Sequence, residues 1–228
     1  ISHELAAAQA CEASMSLRGM GTARKLREIV DYASTIQSHA LSFFYLSSPD
    51  FLLGMDSDPK TRNMFGLLSS HPEIVKDGVR LRKFGQSVIE RLAGRRIHPT
   101  WIVAGGVSEP LSDEVRQEIL AELPEIYRLV RRSLDWFKRA MDDFQDEIRT
   151  FANFPTMFLA LVDEHEPTLE LYRGRLRMVD TQAKQVVADF DRNDYQQYIG
   201  EASESFSYLK SPYYLPMGYP DGIYRVGP

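Results

Sequence analysis

The sequence holds a single cysteine in 228 residues. With Cys11 alone, no internal disulfide can form and no cysteine-rich metal centre can be assembled from these residues. So sparing a use of thiols fits a reducing compartment. No apolar run approaches the ~20 residues that span a bilayer, and no signal-peptide pattern opens the chain. Positive charge is not in excess either. The net charge is −5, so the basic footprint expected of a nucleic-acid partner is missing. The short cluster in "VRLRKFGQ" reads as the solvated face of an amphipathic helix. Also absent are a Gly-rich phosphate loop, a zinc signature and a nucleophile elbow. "GMG" lacks both a preceding strand and the third glycine of a dinucleotide fingerprint. No spacing supports a Ser/His/Asp triad, and there is no internal repeat or low-complexity linker.

What is present is ordinary for a soluble globular protein: 43% apolar and 26% charged residues. The length suits one large domain or two small ones. The first segment, "ISHELAAAQACEASMSLRGMG", is rich in small residues that permit close helix packing, and it is broken by Gly19 and Gly21. A second helix is expected over 22–47, with Leu26, Ile29, Val30, Ala33, Ile36, Ala40, Leu41 and Phe44 on one apolar face. From Ser38 onward Phe43 and Leu46 make the opposite side apolar as well, which predicts burial on most sides. Ser34, Ser38 and Ser42 form a small-residue stripe suited to backbone approach, and Pro49 marks the exit.

"LLGMDSDPKTRNMFG" reads as a loop. "SHPE" has capping-box spacing before a third helix that points Ile74, Val75, Val79, Phe84, Val88, Ile89 and Leu92 inward and stops at Gly94. After the irregular "RRIHPTWIVAGGVSEPLS", a long helical region is expected over 113–151. Its apolar stripe runs from Ile119 to Phe151, and Pro124 breaks or kinks it. "TMFLALV" then reads as a strand. "LELYRGRLRMVD" reads as a hairpin turning at Arg173–Gly174, "DFDRNDYQQYIGEAS" as a site for a short helix, and the Tyr/Pro/Gly-rich end as extended chain. The expected organisation is a single domain over 1–228, mainly α. It has a helical core over about 1–151, a small antiparallel β insertion over about 155–200 and an extended tail over 205–228. The chain opens without methionine and stops at "GIYRVGP", and both ends are expected to cut through structured sequence, as in an internal fragment.

The chemically suggestive residues are His3, His39, Asp50 and His98, each in an apolar or Gly/Pro-rich setting. Each also has a structural reading. Asp50 can cap a turn, His39 can be a satisfied core histidine, His98 can brace a loop, and His3 can hydrogen-bond at a helix start. A buried carboxylate is costly unless paired or hydrogen-bonded. Cys11 reads as a buried small apolar residue, and His71 and His165 as loop residues. These residues alone define no reaction.

Five stretches carry a resemblance: "SHELAAAQACEA", "IQSHALSFFYLSSPD", "GVRLRKFGQSVIERLAGRRIHPT", "VAGGVSEPLS" and "YLKSPYYLPMGYPDGIYRVGP". In this order, over nearly the whole chain, they resemble the large (catalytic) subunit of nickel–iron (NiFe) hydrogenases, of the cytoplasmic NAD-linked, bidirectional type. Ser42 departs from the pattern, standing where many relatives carry a second histidine, and "HPTW" is only approximately the usual loop.

The resemblance implies a long-helix bundle of the hydrogenase large-subunit type and reversible heterolytic cleavage of H2. Electrons would pass to a small iron–sulfur subunit, then through partner diaphorase subunits to NAD(P). It implies a Ni–Fe centre with diatomic ligands on iron, whose ligand cysteines lie outside this stretch, so no metal ligand is expected within it. Asp50 matches an aspartate that pairs with an arginine above the metals. His3 matches a histidine supporting a bridging cysteine, and His39 a packing or hydrogen-bonding support. His98 matches a loop histidine near the partner's proximal cluster, and Gly105 and Gly106 the glycines that let that loop turn. Two alternatives share the fold: a quinone-binding core subunit of the complex I type, and a metal-free structural scaffold.

Overall fold

A computed structural model describes residues 1–17, 21–166 and 168–226. The expected break at Gly19 and the last two residues of the tail lie outside the described residues. The chain divides into two compact units, Ile1–Gln145 and Asp146–Pro228.

In the first unit α1 (Ser2–Ser14) is followed by α2 (Gly21–Ala40), a π-helical segment (Leu41–Ser47) and α3 (Ser48–Leu53). Then come α4 (Met64–Ser70), α5 (Pro72–Ala93), the two-residue strands β1 (Ile102–Val103) and β2 (Gly106–Val107), and α6 (Asp113–Ala140). The centre is the pairing of α2 with α5. Leu26, Val30 and Ala33 meet Leu81, Phe84, Val88 and Ile89, all buried. Two glycines on α5 allow the backbones to approach. A Cβ on Gly85 would stand 2.6 Å from the carbonyl oxygen of Ala33, and one on Gly78 would stand 2.5 Å from Phe44 Cβ. The serine stripe therefore does not make the close approach, since Ser38 and Ser42 are exposed. The inner face of α2 is also rotated from the expected one. Ile29 is 38% exposed, while Arg27 is 0% exposed. On α5 Val79 faces out as well.

One local expectation fails, and the structure refines two others. Ser70 forms no capping box, because its hydroxyl donates to the carbonyl of Gly66 within α4 and His71 takes the N-cap position before Pro72. Pro124 lies inside an unbroken 28-residue α6. The helix is fastened to α5 on both sides of it, which offsets the lost backbone bond. Arg80 Nη2 lies 2.9 Å from both Glu122 and Glu125, and Arg91 Nη2 lies 2.6 Å from Glu122. Arg132 Nε donates to Asp77 Oδ2 at 2.7 Å. Burial pushes the Glu122 carboxyl up, but the guanidinium groups of Arg80 and Arg91 outweigh it and hold the carboxyl below its usual range. The helical region expected over 113–151 is present as α6, a 3-10 turn (Met141–Phe144) and α7 (Gln145–Thr150). Of the apolar stripe on α6 only Ile126 is buried; Val130 and Leu134 remain nearly half exposed.

The second unit is a small β body. It contains β3 (Met157–Val162), β4 (Arg175–Val179), β5 (Val186–Phe190), β6 (Ile199–Ser203), β7 (Lys210–Tyr214) and β8 (Tyr224–Val226). One sheet has the order β5-β4-β3-β8, and β6 and β7 form a separate hairpin. Within 155–200 the pairings β3–β4 and β4–β5 are antiparallel as expected, and the tail expected to be only extended chain adds β8 to β3 in parallel. The partner of β4 is β3, with Leu161 opposite Leu176 and Leu159 opposite Met178. The expected hairpin at Arg173–Gly174 is therefore replaced by a longer connection, in which Leu169 makes only an isolated bridge to Val162. The expected short helix is a 3-10 turn (Arg192–Gln197), whose first turn is capped by Asp191. Met157, Leu159, Met178, Ala188, Phe190 and Tyr214 form the core.

On the exposed side of that sheet Arg175 and Arg177 both pair with Asp189, Arg177 Nε at 2.8 Å. Burial pushes the Asp189 carboxyl up, yet the two guanidinium groups more than compensate and leave it below the usual range. A carboxyl depressed on folding stabilises above its unfolded pKa of about 3.9 and loses that contribution as pH falls. Asp189→Asn should therefore lower the thermal midpoint of the full-length protein near neutrality, with the gap closing below about pH 4. A gap unchanged by pH would refute this account.

Candidate functional site

The peculiar element is the seven-residue π-helical segment that ends α2. In a regular α-helix the ring of Pro49 would clash with the carbonyl four residues back, that of Tyr45. The chain widens by one residue per turn just before that point. The backbone N–H of Ser48 then reaches the carbonyl of Phe43, and its hydroxyl donates to the same oxygen at 2.8 Å. Widened turns of this kind are frequent at functional sites. Pro49 accordingly opens α3 rather than ending the helix, and Asp50 falls in the first turn of α3. The segment is not buried all round: Phe44 is buried, while Tyr45 and Leu46 are exposed.

Beside this widened turn lies an open apolar groove of about 630 Å³, walled by Ile36, His39, Phe43, Leu81, Leu134 and Phe137 among others. Phe43 is its hub, edge-on to Phe44 (4.9 Å between centroids), Phe137 (5.2 Å) and Trp136 (5.9 Å). His39 Nδ1 lies 2.9 Å from the carbonyl oxygen of Thr35. A carbonyl can only accept, so Nδ1 carries the proton and Nε2 is left for another partner.

Asp50 stands apart from His39 in its bonding. Its Oδ1 pairs with Arg62 Nε at 3.2 Å, and its side chain is half exposed. Arg62 comes from the loop before α4. That loop is fixed by Asn63, whose side-chain oxygen caps α4 by accepting from the N–H groups of Phe65 and Gly66. Sequence reasoning did not single out Arg62.

The third locality joins the start of α1 to the loop over 94–107. His3 is exposed on the first turn of α1. Burial pushes the neighbouring Glu4 carboxyl up, against the pull of His98. His98 is exposed and has φ 50°, in the left-handed region that non-glycine residues seldom occupy. Gly105, with φ 88°, makes the turn between β1 and β2. Beneath it lies a pair that sequence reasoning missed. Arg27 and Glu12 are both buried, with Nη2 to Oε1 at 2.7 Å. The signal was available: a glutamate among alanines on α1, and an arginine adjoining the apolar positions of α2.

The structure thus brings His3 and His98 to one end of α1, places His39 in the groove, and pairs Asp50 with Arg62. Among the described residues no group of three or more His, Cys, Asp or Glu side chains has metal-holding geometry, and Cys11 is exposed rather than buried as expected. These residues do not by themselves fit a Ni–Fe centre.

The class defined by this arrangement is a mainly helical protein with small sheets. No protein-family model matches the chain. It is 35% identical over 226 residues to a vhu-type F420-non-reducing hydrogenase chain of Methanocaldococcus jannaschii, covering 99% of this chain and 53% of that protein. It is also 35% identical over 243 residues to the beta subunit of the NAD-reducing hydrogenase HoxS of Cupriavidus necator, covering 100% of this chain and 49% of that protein. A crystal structure of an NAD+-reducing NiFe hydrogenase in the H2-reduced state superposes with a TM-score of 0.94 at 40% identity, over 100% of this chain and 50% of the other. The Ni-Fe-Se hydrogenase of D. vulgaris Hildenborough shares the fold at 18% identity, with a TM-score of 0.63 over 89% of this chain and 47% of its own. The chain belongs to the NiFe hydrogenase large-subunit family, and it spans about half the length of the relatives it matches.

Proposed function

We propose that the whole protein is the large subunit of a NiFe hydrogenase, an oxidoreductase that interconverts H2 with protons and electrons. The observation that carries this reading is the superposition of the entire chain, at 40% identity, on an NAD+-reducing NiFe hydrogenase. Electrons leave through iron–sulfur clusters of a small partner subunit and reach NAD(P) through diaphorase subunits. In the complete protein the helices form a long-helix bundle, and the enzyme works in the cytoplasm. Among the described residues no helix is long and apolar enough to cross a membrane.

Nickel and iron, with their diatomic ligands, are held by residues other than those described. The share of this chain is the surround. Helices α2 and α6 supply apolar walls beside His39, which is exposed at the open groove rather than satisfied in a core. Asp50 uses Oδ1 for Arg62, and its other oxygen serves the cation above the metals. His3 supports the metal-bearing segment, and Gly105 and Gly106 shape the loop that presents His98 to the iron–sulfur subunit.

The test is to purify the full-length protein with its partners and measure nickel content and H2/D+ isotope exchange. Stoichiometric nickel with exchange supports the reading, and absence of both sinks it. Asp50→Ala should lower H2 oxidation per nickel by on the order of ten-fold while nickel content holds. Unchanged turnover in the nickel-loaded variant would remove Asp50 from this role.

A further inference from the structure

The buried pair beneath the 94–107 loop does more than fill space. Arg27 Nη2 lies 2.7 Å from Glu12 Oε1, 2.6 Å from the carbonyl oxygen of Gly106 and 2.5 Å from that of Val103. Its Nε reaches the carbonyl of Gly106 again, at 3.1 Å. Glu12 Oε1 in turn accepts the backbone N–H of Gly105 at 3.0 Å. One guanidinium and one carboxylate therefore tie α1, α2 and the β1–β2 turn together across sequence separations of 15 to 93 residues. Each strand of the turn is only two residues long, and outside the pair it is anchored by buried Trp101, whose Nε1 donates to the carbonyl of Glu109 at 2.9 Å. Arginine suits this task because its rigid planar fork serves several acceptors at once, which a lysine ammonium on a flexible stem does not.

The outer side of the same loop is free to meet a partner. Ile97 is 69% exposed, and Arg95, Arg96 and His98 are exposed beside it. The loop is thus tied to α1 and α2 through the buried pair.

We propose that Glu12 and Arg27 are positioning residues, which fix the 94–107 loop relative to α1 so that its outer face is preshaped for the electron-accepting iron–sulfur subunit. This rests on the proposed function, because it takes that loop as the partner-facing one. Neither residue touches substrate or metal. Their effect falls on electron exit, not on the reaction with H2.

The experiment uses the full-length enzyme complex carrying Arg27→Lys, and separately Gly105→Ala, which strains the turn at its positive φ while leaving both side chains of the pair in place. Four quantities are read: amide hydrogen exchange over 101–107, retention of the iron–sulfur subunit on purification, H2-driven reduction of the electron acceptor, and H2/D+ isotope exchange per nickel. In both variants loop amide exchange should rise about ten-fold. Partner retention should weaken, and acceptor reduction should fall by on the order of ten-fold, as geometry is lost at the exit. Isotope exchange and nickel content should stay within about two-fold of the parent. A parallel fall of isotope exchange and acceptor reduction would overturn the proposal, because it would mark a general structural role. A loosened loop with undiminished partner retention and acceptor reduction would overturn it too. Absence of isotope exchange in the unmodified complex would overturn the hydrogenase reading itself, and this role with it.

Discussion

Replacing Arg27 with methionine should destabilise the first unit by about 3–5 kcal/mol, the range found when one member of a buried ion pair is removed. Methionine restores much of the apolar volume, but it leaves Glu12 buried at 3% exposure with its cation gone. The carbonyls of Val103 and Gly106 lose their donors as well, at a further cost of about 1–3 kcal/mol for each group left unsatisfied. These penalties overlap, so about 3–5 kcal/mol describes the whole. Adding Glu12→Leu should recover part of the loss, since a buried pair replaced on both sides by apolar groups is often close to neutral. Denaturant midpoints of the full-length parent and its three variants form a double-mutant cycle that measures the coupling. An Arg27→Met midpoint equal to the parent's would show that the pair contributes nothing to stability.

In the second unit the largest single effect should come from Phe190→Ala, at about 3–5 kcal/mol. Phe190 ends β5 at 2% exposure and stacks on Tyr198, with ring centroids 4.2 Å apart and planes within 9°. It belongs to the same cluster as Met157, Leu159 and Met178. Truncation removes both the buried area and the stacking partner of Tyr198. The cavity cannot close easily, because the strand positions around it are fixed by ladder pairing on both sides of β4. Phe190→Leu should cost less, about 1–3 kcal/mol, because most of the volume returns without the ring shape. Hydrogen exchange distinguishes the sites of damage. Protection should collapse over β3, β4 and β5 while α2 and α5 keep theirs. Equal loss in both units would show that they unfold as one.

The long amphipathic helices were legible in the sequence because their apolar residues recur at helical spacing, and β3 was legible as a short apolar run. The errors have a common physical source. Periodicity treats burial and hydrophobicity as one quantity, so it placed Ile29 inward and passed over Arg27, whose charge is matched by Glu12 and backbone carbonyls. It likewise counted the whole stripe of α6 as core, although in this chain only Ile126 is covered. Pro124 was read as a break or kink because the rule for proline weighs one lost bond and a clash. It does not weigh the ion pairs made by Arg80, Arg91 and Arg132, which hold the helix along its length. The β3–β4 pairing was missed because a compact Arg-Gly turn looked nearer than the strand on the far side of a longer connection.

At the candidate site the balance differs. Nothing in spacing distinguishes Asp50 or His39 from ordinary capping and core residues. The resemblance of five short stretches pointed to the hydrogenase family, and the relatives bear that family out. Arg62 escaped notice because its partner lies across a loop whose shape depends on the cap at Asn63. A pairing set by tertiary geometry leaves no local pattern to read.

The widened turn before Pro49 also works as an angular spacer. Each residue added to or removed from a helix swings everything after it by about 100° around the axis, given about 3.6 residues per turn. The azimuth of Asp50 is therefore fixed by the number of residues between Leu41 and Ser47 as much as by their identity. A one-residue deletion there would leave composition and hydropathy almost untouched, yet it would aim the carboxylate a quarter-turn or more away from Arg62.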